Sequence, residues 1–181
     1  YDGQVTWDPY LRPSTYHGVT TVVMGNCGVG FSPCKPDQRD WLIGLMEGVE
    51  DIPGTALHEG IDWEWESFPE YLDALEKKPL AIDVGTQIPH GAVRAYVMGE
   101  RGINHEEASE DEINKMKEIV KEAVEAGAYG FSTSRTEKHN DVNGKLTPSI
   151  TAHKTELVEI AKSLGEIDKG VLQGISDFYD F

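Results

Sequence analysis

The chain is poor in cysteine, with two in 181 residues, Cys27 and Cys34. Six residues lie between them, a spacing foreign to zinc fingers, and two cysteines build no disulfide framework. A reducing, cytoplasmic setting with free thiols is the expectation. Positive charge is also scarce: 16 Lys and Arg face 32 Asp and Glu, for a net charge of -16. Phosphate binding needs clustered cations, so a nucleic-acid partner is excluded. No apolar run approaches the ~18 residues of a membrane span, and no membrane partner is expected. No basic-then-apolar leader argues for secretion. The six histidines form neither HxH nor HxxxH, so no local zinc motif exists. Internal repeats and low-complexity segments are lacking too. The first residue is Tyr1 rather than Met, which suggests an internal piece or a processed chain.

What is present is organised around Gly18–Pro33, GVTTVVMGNCGVGFSP. Val19 to Met24 is apolar, β-branched and uncharged, the pattern of a strand buried on both faces. Glycines at 25, 28 and 30 then predict a sharp turn at its carboxyl end. Ligands and chemistry sit at that end in parallel α/β proteins.

The remaining pattern alternates. Tyr1–Thr6 reads as the tail of a strand, and Asp8-Pro9 as the start of a short helix limited by Pro13. A helix is predicted over Asp37–Val49, with Trp41, Leu42, Leu45, Met46 and Val49 on one face. Residues 50–66 read as an irregular insertion carrying Trp63 and Trp65, whose safer reading is packing rather than ligand cover. Capping boxes at Ser67/Glu70 and Ser109/Glu112 open two helices, ending near Lys77 and at Gly127. Another helix runs from Ala152 to Leu164, broken by Gly165. Further strands are predicted at Leu80–Ile88, Tyr129–Thr133 and Lys169–Ser176, with an aromatic tail at Asp177–Phe181. Ala92–Met98 is ambiguous, and Gly99–Ala108 and Ser134–Ile150 read as loops. Strand–helix alternation means parallel strands with crossovers. A closed eight-stranded α/β barrel needs about 250 residues. The expected fold is therefore α/β, in one domain spanning 1–181: an open sheet or part of a barrel. Half a barrel exposes two strand edges, which predicts a homo-oligomer or covering tails.

Parallel strands gather their tips on one face. The residues expected there are Asn26, Cys27, His90, Ser132, Thr133, Arg135, Gln173 and Asp177, with His139 in a loop able to reach over them. Cys27 reads as a zinc ligand, as a nucleophile with His90 as its base, or as a small residue filling a tight turn. Arg135 reads as a carboxylate clamp or a solvated loop arginine. The acidic residues from Glu47 to Glu66 read mainly as a solvated face.

The segments WDPYLRPSTYHGVTTVVMGNCGVGFSPCKP, EGVEDIPGTALHEGIDWEWESFPEYLDAL, PHGAVRAYVMGERG and EAVEAGAYGFSTSRT resemble the D-aminoacylase group of the amidohydrolase superfamily. The resemblance implies a metal-dependent (β/α)8 hydrolase barrel, incomplete in this chain. It acts on the amide bond of small-molecule N-acyl-D-amino acids through metal-activated water. It makes Cys27 a Zn²⁺ ligand and places Asp2 on the active-site face. The family's HxH pair would precede Tyr1-Asp2, and its catalytic aspartate lies far downstream. A further metal histidine is expected on the strand where this chain has VLQGISD, and Gln173 stands near it. The chain alone is expected to lack a complete metal site and to be inactive. The competing class is a non-catalytic α/β scaffold or small-ligand module that self-associates.

Overall fold

A computed structural model describes residues 1–177; the tail residues 178–181 lie outside the described residues. Five strands are formed: β1 (Thr21–Met24), β2 (Asp83–Thr86), β3 (Ile88–Pro89), β4 (Gly130–Arg135) and β5 (Val171–Ser176). Every pairing is parallel. β1 lies against β2 with Thr21 opposite Asp83, β3 against β4 with Ile88 opposite Phe131, and β4 against β5 with Gly130 opposite Val171.

β2 and β3 are one run of chain interrupted at Gln87, where a single strand was expected over 80–88. The interruption has a cause in the pairing. Gln87 N still donates to Met24 O of β1, while the next residue already pairs with β4. The run thus hands its partner from one side to the other. The neighbours follow chain order with no reversal, so the doubly wound switch point is absent and the arrangement is that of consecutive βα units of a barrel.

Among the described residues seven α-helices accompany the strands: α1 (Arg39–Glu50), α2 (Gly54–Gly60), α3 (Phe68–Glu76), α4 (His90–Met98), α5 (Glu100–Ile103), α6 (Glu110–Ala126) and α7 (Lys154–Glu166). Both capping boxes form: Ser67 with Glu70 opens α3, and Ser109 with Glu112 opens α6. α6 buries Met116, Val120, Ala123 and Val124 at helical spacing and packs on α3, α4 and α7. Trp65 is buried, donates from Nε1 to Phe31 O at 2.9 Å, and lies between Trp63 and Tyr71 in a run of ring contacts. These indoles hold the 28–36 loop onto α3.

Several expectations are corrected. Residues 4–6 form a 3₁₀ turn, not a strand tail. No helix forms over Asp8–Pro13, because the Asp8 carboxylate accepts from Tyr10 N, Arg12 N and Gln4 Nε2, a local network that competes with helix. The 50–66 insertion contains α2, the loop at 99–108 contains α5, and Gly165 lies inside α7. β1 is not buried on both faces: Val23 is 40% exposed. The reason is its position, since β2 is its only strand neighbour among the described residues.

Candidate functional site

The carboxyl ends of β1 to β5 carry the polar side chains. After β1, Gly25 N donates to the Asp2 carboxylate at 3.4 Å, which fixes the N-terminal segment against the turn. Burial raises the Asp2 carboxyl above its ordinary range, and the nearby Glu50 charge adds to it. Cys27 is partly exposed, its Sγ 3.9 Å from Glu50 Oε1 at the end of α1. Burial first, then the charges of Asp2 and Glu50, push the Cys27 thiol up to about 11. The thiol therefore keeps its proton near neutrality.

Beside it, Asn26 Oδ1 accepts from Gln87 Nε2 at 2.9 Å, and the same nitrogen donates to Gln173 Oε1. Three carboxamides from β1, the β2–β3 junction and β5 thus form a ladder across the strand ends. Above β4, His139 Nδ1 meets Ser134 Oγ at 2.9 Å. Burial lowers the His139 pKa, opposed by the charges of Glu50 and Asp177. The Asp177 carboxylate accepts from Thr136 Oγ1 and Glu137 N at 2.5 and 2.7 Å, bonds that hold it below its ordinary range. Asp2, Cys27, Glu50, His139 and Asp177 therefore share one electrostatic neighbourhood.

The other expected site residues are engaged by partners of their own. His90 is fully buried, with Nδ1 2.8 Å from Thr133 Oγ1 and Nε2 2.6 Å from Glu156 Oε1. Both ring nitrogens are engaged, which leaves none for a thiol. Burial lowers the His90 pKa, so the ring is neutral. Nε2–H then donates to Glu156, and Nδ1 accepts from Thr133. Burial also pushes the Glu156 carboxyl up, but His90 and the Arg94 charge outweigh it and leave it below its ordinary range. Arg94 Nη1 bonds the other Glu156 oxygen, and Arg94 Nη2 donates to Glu106 O at 2.7 Å. Arg135 holds two carbonyls, Ser149 O at 3.0 Å and Ile150 O at 2.7 Å, and so is committed to the chain after β4. Ser132 is fully buried and accepts from Gly28 N at 3.0 Å.

Sequence reasoning passed over Glu50, Gln87, Arg94 and Glu156. Glu50 sits among acidic residues that read as a solvated face, yet it closes α1, the first α-helix after the Cys27 turn. Gln87 was read as interior to a strand. No local pattern marks Arg94 and Glu156, which meet across 62 residues.

Among the described residues, no group of three or more His, Cys, Asp or Glu side chains could hold a metal ion. Cys27 is a donor without a full set, so zinc does not fit on these residues alone.

The model of the amidohydrolase family matches residues 1–180. A D-aminoacylase of Alcaligenes xylosoxydans xylosoxydans is 30% identical over 154 residues, covering 85% of this chain and 27% of that protein. A crystal structure of D-aminoacylase matches 94% of the chain with a TM-score of 0.68 and 28% identity, over 31% of its own length. The N-acyl-D-glutamate deacylase from Bordetella bronchiseptica, solved with zinc and a phosphonate inhibitor, matches 93% with a TM-score of 0.66 and 27% identity. The chain spans a little over a quarter of the D-aminoacylase it matches.

Proposed function

This chain belongs to the amidohydrolase family, and from that membership we propose that it supplies one wall of a metal-dependent active site that hydrolyses the amide bond of N-acyl-D-amino acids. The observation that carries the reading is the Cys27 turn. A lone thiol stands at the carboxyl end of a parallel strand, in a chain that superposes on D-aminoacylase over 94% of its length. In this reading Cys27 is one thiolate ligand of a divalent metal, which supplies an activated water when bound. Asp2, Asn26, His139, Gln173 and Asp177 face the substrate side. His90, Ser132, Thr133 and Arg135 form the wall behind them.

The test builds these residues into a barrel of the matched D-aminoacylase's full length, then measures free amino acid released from N-acetyl-D-methionine with added Zn²⁺, with a chelator as control, alongside equilibrium dialysis of zinc. Release that a chelator abolishes, and zinc binding lost in Cys27→Ala, support the reading. Zinc uptake unchanged in Cys27→Ala overturns the role of Cys27.

The sheet edges favour a second reading, self-association. Val171, Leu172 and Ile175 of β5 are 60%, 49% and 39% exposed, an apolar strand that invites pairing. Light scattering across a concentration series tests it: one monomer species throughout rejects it.

A further inference from the structure

The turn that carries Cys27 is held from both sides at the residue that follows it. Gly28 N donates to Ser132 Oγ of β4 at 3.0 Å, and Gly28 O accepts from Gly91 N of α4 at 3.0 Å. The two holding segments are tied to each other, because Thr133 bonds His90 at 2.8 Å. His90 is anchored in turn by Glu156 at 2.6 Å. Gly28, Ser132–Thr133 and His90–Gly91 thus close a ring of hydrogen bonds, and Ser132 and His90 are fully buried. No slack remains at Gly28: its φ is +77°, and a Cβ there would lie 2.5 Å from Ser134 N.

We propose that Ser132 is a positioning residue for Cys27: its buried hydroxyl locks the Gly28 amide and so fixes where the thiol stands at the strand ends. Ser132 touches no substrate, being closed off from solvent. It acts through the backbone next to the cysteine, and His90 braces it from behind rather than serving as a base. The inference deepens the reading of Cys27 as the functional thiol of this face, but its test needs no metal.

The experiment is alkylation of the metal-free protein by iodoacetamide at fixed pH, resolved by peptide mass for each cysteine. Cys34 is fully buried and serves as the internal reference for folding. In Ser132→Ala the Gly28 amide loses its acceptor, and the Cys27 rate is expected to rise about tenfold, the population change that follows from one buried hydrogen bond lost. The Cys34 rate stays at the wild-type value, and Ser132→Thr, which keeps the hydroxyl, restores the slow Cys27 rate. An unchanged Cys27 rate in a variant whose Cys34 stays protected overturns the proposal. Should Ser132→Ala expose both cysteines, native-state hydrogen exchange of the wild type decides. Gly28 N–H exchanging only with global unfolding supports the lock, and exchange at a free-loop rate overturns it. Zinc titration reports separately on the metal reading, so either can fail alone.

Discussion

Two clusters near the strand ends each set a histidine beside a glutamate, and the contrast between them is instructive. In one, the side chains of His90, Arg94 and Glu156 are at most 1% exposed, and both nitrogens of the ring and both oxygens of the carboxylate are bonded. In the other, Glu50 is exposed, Cys27 and His139 are partly so, and Cys27 Sγ lies 3.9 Å from Glu50 Oε1. Apart from Arg94 Nε, which is buried without a hydrogen-bond partner, the first cluster commits its polar atoms to bonds that join α4, α7 and β4. The second keeps donors and acceptors open to a ligand. A histidine after a buried strand is thus no sign of chemistry by itself; what distinguishes the Cys27 cluster is partial exposure beside a conformationally forced turn.

The sharpest way to break this contrast is to remove Glu156. Its loss leaves the Arg94 guanidinium buried without a counter-charge, and breaking such a pair costs about 3–5 kcal/mol. Glu156→Ala should therefore lower the urea midpoint drastically or prevent folding, whereas Glu50→Ala should change the unfolding free energy by about 0.5 kcal/mol or less, as an exposed side chain does. Equal effects would erase the distinction between the clusters. Gly28→Ala comes next. The left-handed φ and the backbone 2.5 Å from the added Cβ together cost about 2–4 kcal/mol. The loss should be accompanied by faster exchange of the Gly28 and Gly91 amides, which are engaged in the same turn.

Protonation separates the clusters more gently. His90 and Glu156 both have folded-state pKa values below their ordinary 6.5 and 4.5. With a depressed pKa the unfolded chain takes up the proton first. The stability is therefore full above the ordinary value and is lost as pH falls through it toward the folded one. Urea midpoints should accordingly be flat just above pH 7, decline below 6.5 as unfolded His90 protonates, and steepen below 4.5 as Glu156 joins. His90→Asn should flatten the upper part of that decline. A decline that persists unchanged in His90→Asn would assign it to another histidine.

How far the sequence could anticipate all this depends on the range of each signal. The capping boxes at Ser67 and Ser109, the apolar stripe of α6 and the Gly25–Gly28 turn are local, and each forms where its residues predict. Parallel topology followed from the strand–helix alternation. The register hand-over at Gln87 did not, because it depends on β1 and β4 lying on opposite sides of one strand. Trp65 was legible as packing, while its bond to Phe31 O was not. The site divides the same way. Cys27 announces itself by its flanking glycines, but Glu50 comes to it across 23 residues and Ser132 comes to Gly28 across 104, with no periodicity to mark either. His90 misleads because its position after a strand is local information, and its burial against Glu156 is not.

The smallest effect tests the open cluster itself. The Cys27 thiol stands at about 11 mainly through burial, with Asp2 and Glu50 as lesser contributors. Removing the Glu50 charge in Glu50→Gln leaves the burial in place and lifts only part of the electrostatic penalty. Alkylation at pH 8 should then quicken about two- to fivefold, the factor that roughly 0.4–1 kcal/mol of exposed charge interaction gives. Added salt should shrink the difference between wild type and variant, since exposed charges are screened. Cys34, held at about 12 by burial above all and fully enclosed, should respond to neither change. A Cys27 rate indifferent to Glu50 would place the carboxylate outside the thiol's reach, leaving the strand-end face with Asp2 as its one carboxylate acting on the thiol.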